Sequence, residues 1–298
     1  DRCIGVFDLE SPELDAFSKK HVELLTLLAS QAAVSIENAR LYQALRENEE
    51  RLESEVRFAQ RVQMALLPKE LSRRVRGVDI AWHFDAAQEL GGDVYDFLQP
   101  DAHHLVVAVG DVAGKGVPAA LYSVFAGEVV RGRTYRRRYV PEGSGPASVL
   151  ASANRILHER QLVEYYCTLC YAVFDLRQRT VTLANSGLPY PIRYSGGRSE
   201  PIDLTGVPLG SFADVQYEEI TLPLSAGDVF VFCTDGIYET FDEQGLELGR
   251  PAILEVVQAH ADRPAQDIVR AIFDAAARFQ GEAQQHDDRT AVVVKITS

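Results

Sequence analysis

HLVVAVGDVAGKGVPAAL, residues 104–121, changes character in mid-course. An unbroken apolar run of strand type ends at Gly110, the stretch from Gly110 to Gly116 holds Asp111 among three glycines in seven residues, and a helical pattern starts at Val117. An aspartate at such a boundary is held by rigid backbone yet faces a mouth or cleft. The glycines let backbone approach a ligand closely and offer carbonyls as well as amides, which makes the Val112 carbonyl a candidate metal ligand.

Working outward, DVYDFL follows a Gly-Gly turn as a second strand, and its Asp93 lies eighteen residues before Asp111. One hairpin accounts for that spacing and returns both aspartates to the same edge. Further on, DVFVFCTDGIYE puts Asp235 at the end of an apolar strand, and HDDRTAVVVKI puts Asp287 just before another. Asp-Gly marks turns and an Asp pair often caps an element, so neither motif decides anything alone. Four aspartates at four strand boundaries point to one metal site. Oxygen-only ligation suits Mg²⁺ or Mn²⁺ rather than zinc, and water activation is the obvious use.

The neighbours of these residues divide by position. Asp96 faces away from Asp93 on a regular strand and is assigned a supporting place. Asp288 reads as a loop hydrogen-bond acceptor in preference to an outer-sphere ligand, and His286 as a solvated loop histidine in preference to a proton donor. The GKG loop is not a nucleotide-binding P-loop, because Val109 and Gly116 stand where that pattern requires Gly and Ser or Thr. Lys115 is expected to be an exposed loop residue near the site.

A formal net charge of −13 repels phosphate backbones and excludes general nucleic-acid binding. RGRTYRRRY, residues 131–139, is a local exception, read as a solvated helix end in preference to a dock for an acidic partner. No apolar run approaches the ~18 residues of a membrane span, so no membrane insertion is expected. Without a secretory signal the protein is expected in the cytoplasm. Cys167 and Cys170 resemble a C-x-x-C pair but fall on a strand pattern, where residues three apart face opposite ways. With Cys3 and Cys233 they are read as buried reduced thiols.

DRCIGVFDLE, residues 1–10, reads as the interior of a strand, which marks the chain as a fragment. After SPELDAF, one helix of about fifty residues is expected from Ser18 to Leu67, with no Pro or Gly inside it. Leu45, Leu52, Ala59 and Leu66 recur every seven residues, and Leu41, Val56 and Val62 fill much of the other seam. Dimerisation through this helix is the economical reading, in preference to packing on its own domain; Asn38 and Asn48 fall near seam positions that can fix register. Beyond Pro68, strands are expected at 78–84, 93–98, 104–110, 166–175, 179–184, 190–194, 215–222, 228–234 and 289–296. Helices are expected at 117–130, 146–161, 248–260 and 265–280. Adjacent strands with grouped helices favour antiparallel sheets over a doubly wound parallel one.

GGDVYDF, GDVAGKGVPAAL, GVPLGSF, DVFVFCTDGIYE and HDDRTAVVV, in this order and spacing, resemble the bacterial SpoIIE/RsbU branch of the protein phosphatase 2C-like (PPM) serine/threonine phosphatases. The resemblance covers about residues 68–298. Residues 1–40 resemble, over a shorter and less specific match, the last strand and helix of a GAF sensor domain, with 41–67 as a helical linker. The implied fold is α+β: an α-β-β-α sandwich of two antiparallel sheets flanked by helices. The implied site holds two Mn²⁺ or Mg²⁺ ions on Asp93, Asp111, the Val112 carbonyl, Asp235 and Asp287, with Asp111 bridging. Two divalent ions balance the four carboxylates; without them the set repels itself and is expected to be loose or partly protonated.

The implied reaction is hydrolysis of a protein phosphoserine or phosphothreonine by a hydroxide shared between the ions, with no covalent phosphoenzyme. The implied substrate is a phosphorylated anti-anti-sigma STAS-domain protein, and the implied regulation is a sensor acting through the linker helix. The competing reading is a non-catalytic dimeric scaffold with this fold. One departure stands out: Asn185, Ser186, Gly187 and Leu188 replace an Asn-Ala-Gly-His-type block, so no imidazole is available there.

Overall fold

The computed structural model describes residues 3–68, 75–136, 145–162 and 164–297. In chain order the elements are α1 (Lys19–Leu66), β1 (Val78–Asp85), β2 (Val94–Leu98), β3 (His104–Val112), α2 (Gly116–Arg136), α3 (Pro146–Glu159), β4 (Cys167–Asp175) and β5 (Thr180–Asn185). They continue with β6 (Ile192–Ser195), β7 (Arg198–Pro201), β8 (Glu219–Pro223), β9 (Val229–Cys233), α4 (Asp235–Tyr238), α5 (Gly249–His260), α6 (Ala265–Gln280) and β10 (Arg289–Ile296). The chain divides into two units, Asp1–Phe58 and Ala59–Ser298. Among the described residues no helix is long and apolar enough to cross a membrane.

In the first unit the strand expected at the start is not formed: residues 3–10 carry no regular structure. An extended segment needs a neighbouring strand to accept its backbone hydrogen bonds, and none of the described strands pairs with it. Cys3 is accordingly exposed rather than buried. The long helix is present as the 48 residues of α1. Arg46–Glu50 and Glu53–Arg57 ion pairs at i,i+4 line it, each worth about 0.3–0.5 kcal/mol. Leu41, Leu45 and Leu52 stay exposed.

The second unit stacks two five-stranded antiparallel sheets, ordered β1-β10-β9-β6-β7 and β2-β3-β4-β5-β8. The central strands β3, β4, β9 and β10 read as near-continuous apolar runs because both their faces are buried. Leu105, Val107 and Val109 of β3 point into the core between the sheets, with Cys170, Ala172 and Phe174 of β4, Phe230 and Phe232 of β9, and Val292 and Val294 of β10. The alternate residues Val106, Ala108, Leu169 and Tyr171 face α2 and α3. On the other sheet Val229, Val231, Ala291 and Val293 face α5 and α6, where Ile268 and Ile272 sit one turn apart.

The α-β-β-α sandwich follows directly. Phe174 and Phe230 join the sheets edge to face at 5.4 Å, a geometry worth about 0.5–1.5 kcal/mol beyond burial. The same alternation separates the cysteines: Cys170 lies between the sheets, Cys167 under the helices and Cys233 in the α5/α6 core, all as free buried thiols. β1 departs from its sequence neighbours β2 and β3 by joining β10 in the other sheet, with Trp82 opposite Val292. β7 and α4 carry no signal in the sequence, since four residues are too few to show a period.

Of the arginine-rich segment, Arg131 pairs with Asp96 and Glu128 at 2.9 Å each. Residues 137–139 lie outside the described residues.

Candidate metal centre

The β2–β3 register pairs Val94 with Gly110, so the hairpin carries Asp93 and Asp111 to the same edge, as the spacing predicts. The other two aspartates come from the opposite sheet. β9 and β10 are paired, with Cys233 opposite Ala291, so the segment leaving β9 at Asp235 and the segment entering β10 at Asp287 lie side by side. Each sheet thus contributes two carboxylates where their ends meet.

Close backbone approach depends on two glycines. A Cβ on Gly92 would stand 2.9 Å from the Val112 carbonyl oxygen and 3.2 Å from Asp111 Oδ1, filling the space those oxygens face. A Cβ on Gly236 would meet the Asp288 carbonyl at 2.0 Å, so only glycine lets α4 lie against residues 287–288.

Asp93 is 1% exposed, and its Oδ2 accepts from Thr234 Oγ1 at 3.0 Å and Thr290 Oγ1 at 2.5 Å. Its Oδ1 is buried with no hydrogen-bond partner. Both threonines fall within the quoted motifs, next to or near Asp235 and Asp287, but nothing in the sequence marked them as holding Asp93. Asp288 is the acceptor expected: it takes the Ala87 N–H at 2.8 Å and the Gly92 N–H at 2.6 Å, fixing the loop that carries Asp93. Gln63, near the end of α1, donates to the Gly91 carbonyl at 2.6 Å and was not foreseen from sequence.

The carboxylates share one electrostatic field. Burial, then the charges of Asp235, Asp287 and Asp288, push Asp111 up to about 8. Burial and Asp111 push Asp93 well above the ordinary carboxylate range, and burial and Asp287 raise Asp235. The expectation of a partly protonated metal-free site matches these directions.

The donor chemistry fits hard divalent cations. The set is all oxygen, it includes a buried carboxylate oxygen with no partner, and Gly92 keeps the Val112 carbonyl accessible. The side chains do not form a closed cage: among the described residues no three His, Cys, Asp or Glu side chains are grouped tightly enough to hold one ion.

The surrounding residues take distinct places. Asp96 turns away from the cluster to Arg131. His286 is exposed, its ring edge-on to Phe241 at 5.9 Å. Lys115 is half-exposed, as expected of a loop residue, but it also reaches across to Asp287 at 3.3 Å. Asn185 binds the carbonyls of Leu188 and Leu204, and Leu188 is buried in the inter-sheet core. The departure at 185–188 is therefore a structural corner here, with its fourth side chain facing inward.

Known proteins resemble this chain in sequence and in fold. The family described as Stage II sporulation protein E (SpoIIE) matches residues 101–297. Phosphoserine phosphatase RsbU of Bacillus subtilis (strain 168) is 30% identical over 257 residues, covering 85% of this chain and 73% of that protein. Phosphoserine phosphatase RsbP of the same organism is 22% identical, covering 74% of this chain and 52% of that protein. Among solved structures, the SiaA-PP2C domain of Pseudomonas aeruginosa superposes with a TM-score of 0.73 at 24% identity, over 83% of this chain and 98% of that one.

Proposed function

The chain belongs to the SpoIIE family of PP2C-type phosphatases, and from that premise we propose that it hydrolyses phosphoserine or phosphothreonine on a signalling protein. The observation that carries this reading is the meeting of Asp93 and Asp111 from one sheet with Asp235 and Asp287 from the other, in a shared field that raises Asp111 to about 8. Asp93, Asp111, Asp235, Asp287 and the Val112 carbonyl would hold two Mn²⁺ or Mg²⁺ ions. When bound, such ions activate water for in-line attack on phosphorus and neutralise the phosphoryl oxygens.

The chain's own groups supply position. Thr234 and Thr290 hold Asp93, and Asp288 fixes the Gly92 backbone beside the Val112 carbonyl. Cys167, Cys170 and Cys233 are buried thiols, and burial pushes the Cys233 thiol up to about 12 and the other two higher still, so none serves as a nucleophile.

The substrate we propose is a phosphorylated anti-anti-sigma STAS-domain protein of a partner-switching pathway. Residues 1–40 are proposed as the end of a GAF sensor domain, 41–67 as a helical linker that pairs two copies, and 68–298 as the phosphatase domain. The exposed Leu41, Leu45 and Leu52 support pairing, and Gln63 supports coupling, because it joins α1 to the loop before Asp93.

The test is release of phosphate from a phosphoserine peptide with and without Mn²⁺, using Asp111→Asn and Asp235→Asn as controls. Mn²⁺-dependent release abolished in both variants is expected. Activity that persists in both removes the metal reading, and no activity on any phosphoprotein favours the scaffold.

A further inference from the structure

Lys115 sits in the glycine-rich loop after β3, and its ammonium crosses to the segment that enters β10. It lies 3.3 Å from Asp287 Oδ2 and also donates to the main-chain carbonyl of His286. The two side chains are 48% and 39% exposed. A lysine–carboxylate pair this open contributes little by itself. Its company makes it different: one ammonium holds both a carboxylate at the mouth of the site and the neighbouring main-chain carbonyl, tying the glycine-rich loop to the segment that enters β10.

Asp287 is one of the five ligands assigned above, so this inference rests on that reading. A divalent cation and an ammonium placed against one carboxylate repel each other, by an amount that solvent at so open a pair keeps modest. We propose that Lys115 is an internal counter-ion that occupies Asp287 in the metal-free protein and competes with the divalent cation for it. Loading the site then requires the ammonium to leave, which also unties the glycine-rich loop from residues 286–287.

The experiment is calorimetric titration of Mn²⁺ into the full chain, for the wild type, Lys115→Met and Lys115→Arg, each repeated with Asp287→Asn. Lys115→Met is expected to bind Mn²⁺ about 2- to 5-fold more tightly, the range set by an exposed ion pair. Lys115→Arg is expected to match the wild type, and the gain is expected to vanish with Asp287→Asn.

Unchanged or weaker binding in Lys115→Met overturns the proposal. So does an equal gain in the Asp287→Asn background, which would mean that only the general field had changed. A wild-type protein that binds no Mn²⁺ overturns both this inference and the metal reading beneath it. Binding without any Lys115 effect overturns this inference alone. Melting temperatures give a second readout: Lys115→Met is expected to melt below the wild type in EDTA and level with it in saturating Mn²⁺. A gap that persists with the ion marks an ordinary structural role and overturns the proposal.

Discussion

Gln63 and Gly91 are joined by two hydrogen bonds: the Gln63 amide donates to the Gly91 carbonyl at 2.6 Å, and the Gly91 N–H donates back at 3.3 Å. Gln63 is 4% exposed, the one buried residue of α1, and Gly91 stands two residues before Asp93. The end of the long helix is thereby strapped to the backbone that carries a proposed metal ligand. Gln63→Ala leaves two buried backbone groups unpaired and is expected to cost about 1–3 kcal/mol, measured by urea denaturation. It is also expected to weaken Mn²⁺ binding, because the loop before Asp93 loses its tether. Full stability with unchanged Mn²⁺ affinity would show that the strap carries no load.

Gly92→Ala tests the approach of backbone to the site. The added methyl would stand 2.9 Å from the Val112 carbonyl oxygen, tighter than van der Waals contact permits. Loss of Mn²⁺-dependent phosphatase activity by at least tenfold is expected, with thermal unfolding still cooperative. Near wild-type turnover would remove the Val112 carbonyl from the ligand set.

The pH dependence of the metal-free protein follows from the raised carboxyls. Asp111 is pushed to about 8 by burial and its acidic neighbours, whereas the unfolded chain releases that proton near pH 4. Between these values the folded state holds more protons than the unfolded one, so stability falls as pH rises. In EDTA the melting temperature is expected to be lower at pH 8 than at pH 6, and saturating Mn²⁺ is expected to flatten or reverse the trend. A rise from pH 6 to pH 8 in EDTA would contradict the assignment.

Asp111→Asn separates function from stability. Above pH 8, where Asp111 is ionised and repelled by Asp235, Asp287 and Asp288, its replacement by Asn is expected to raise the melting temperature in EDTA while abolishing stabilisation by Mn²⁺. Paired thermal melts with and without the ion read both effects.

Leu52→Asp with Val56→Asp tests helix pairing. Charges in an apolar seam are incompatible with a coiled coil, so a shift from dimer to monomer in analytical ultracentrifugation is expected, with a changed phosphatase rate. An unchanged oligomeric state and unchanged rate would detach α1 from both roles.

The hairpin of Asp93 and Asp111 was legible because a hairpin is a local object: strand length and turn position alone return its two ends to one edge. The long α1 was legible because no Pro or Gly interrupts it. The strand pattern at the start forms no strand over residues 3–10, because an apolar pattern records what a segment could bury, while strand formation also needs a partner for its backbone. The placement of β1 beside β10 was likewise invisible, since antiparallel strands carry no label for the sheet they will join.

The sequence by itself determined the alternation that buries both faces of each sheet, and the four acidic residues at strand boundaries. Periodicity and turn chemistry act within a few residues, so they survive in one dimension. Tertiary structure alone decided that Asp235 and Asp287 act electrostatically on Asp111 from the other sheet, that Thr234 and Thr290 hold Asp93, and that Gln63 and Lys115 join segments distant in sequence. Those contacts depend on how two sheets pack, and packing is set by the whole core rather than by any motif.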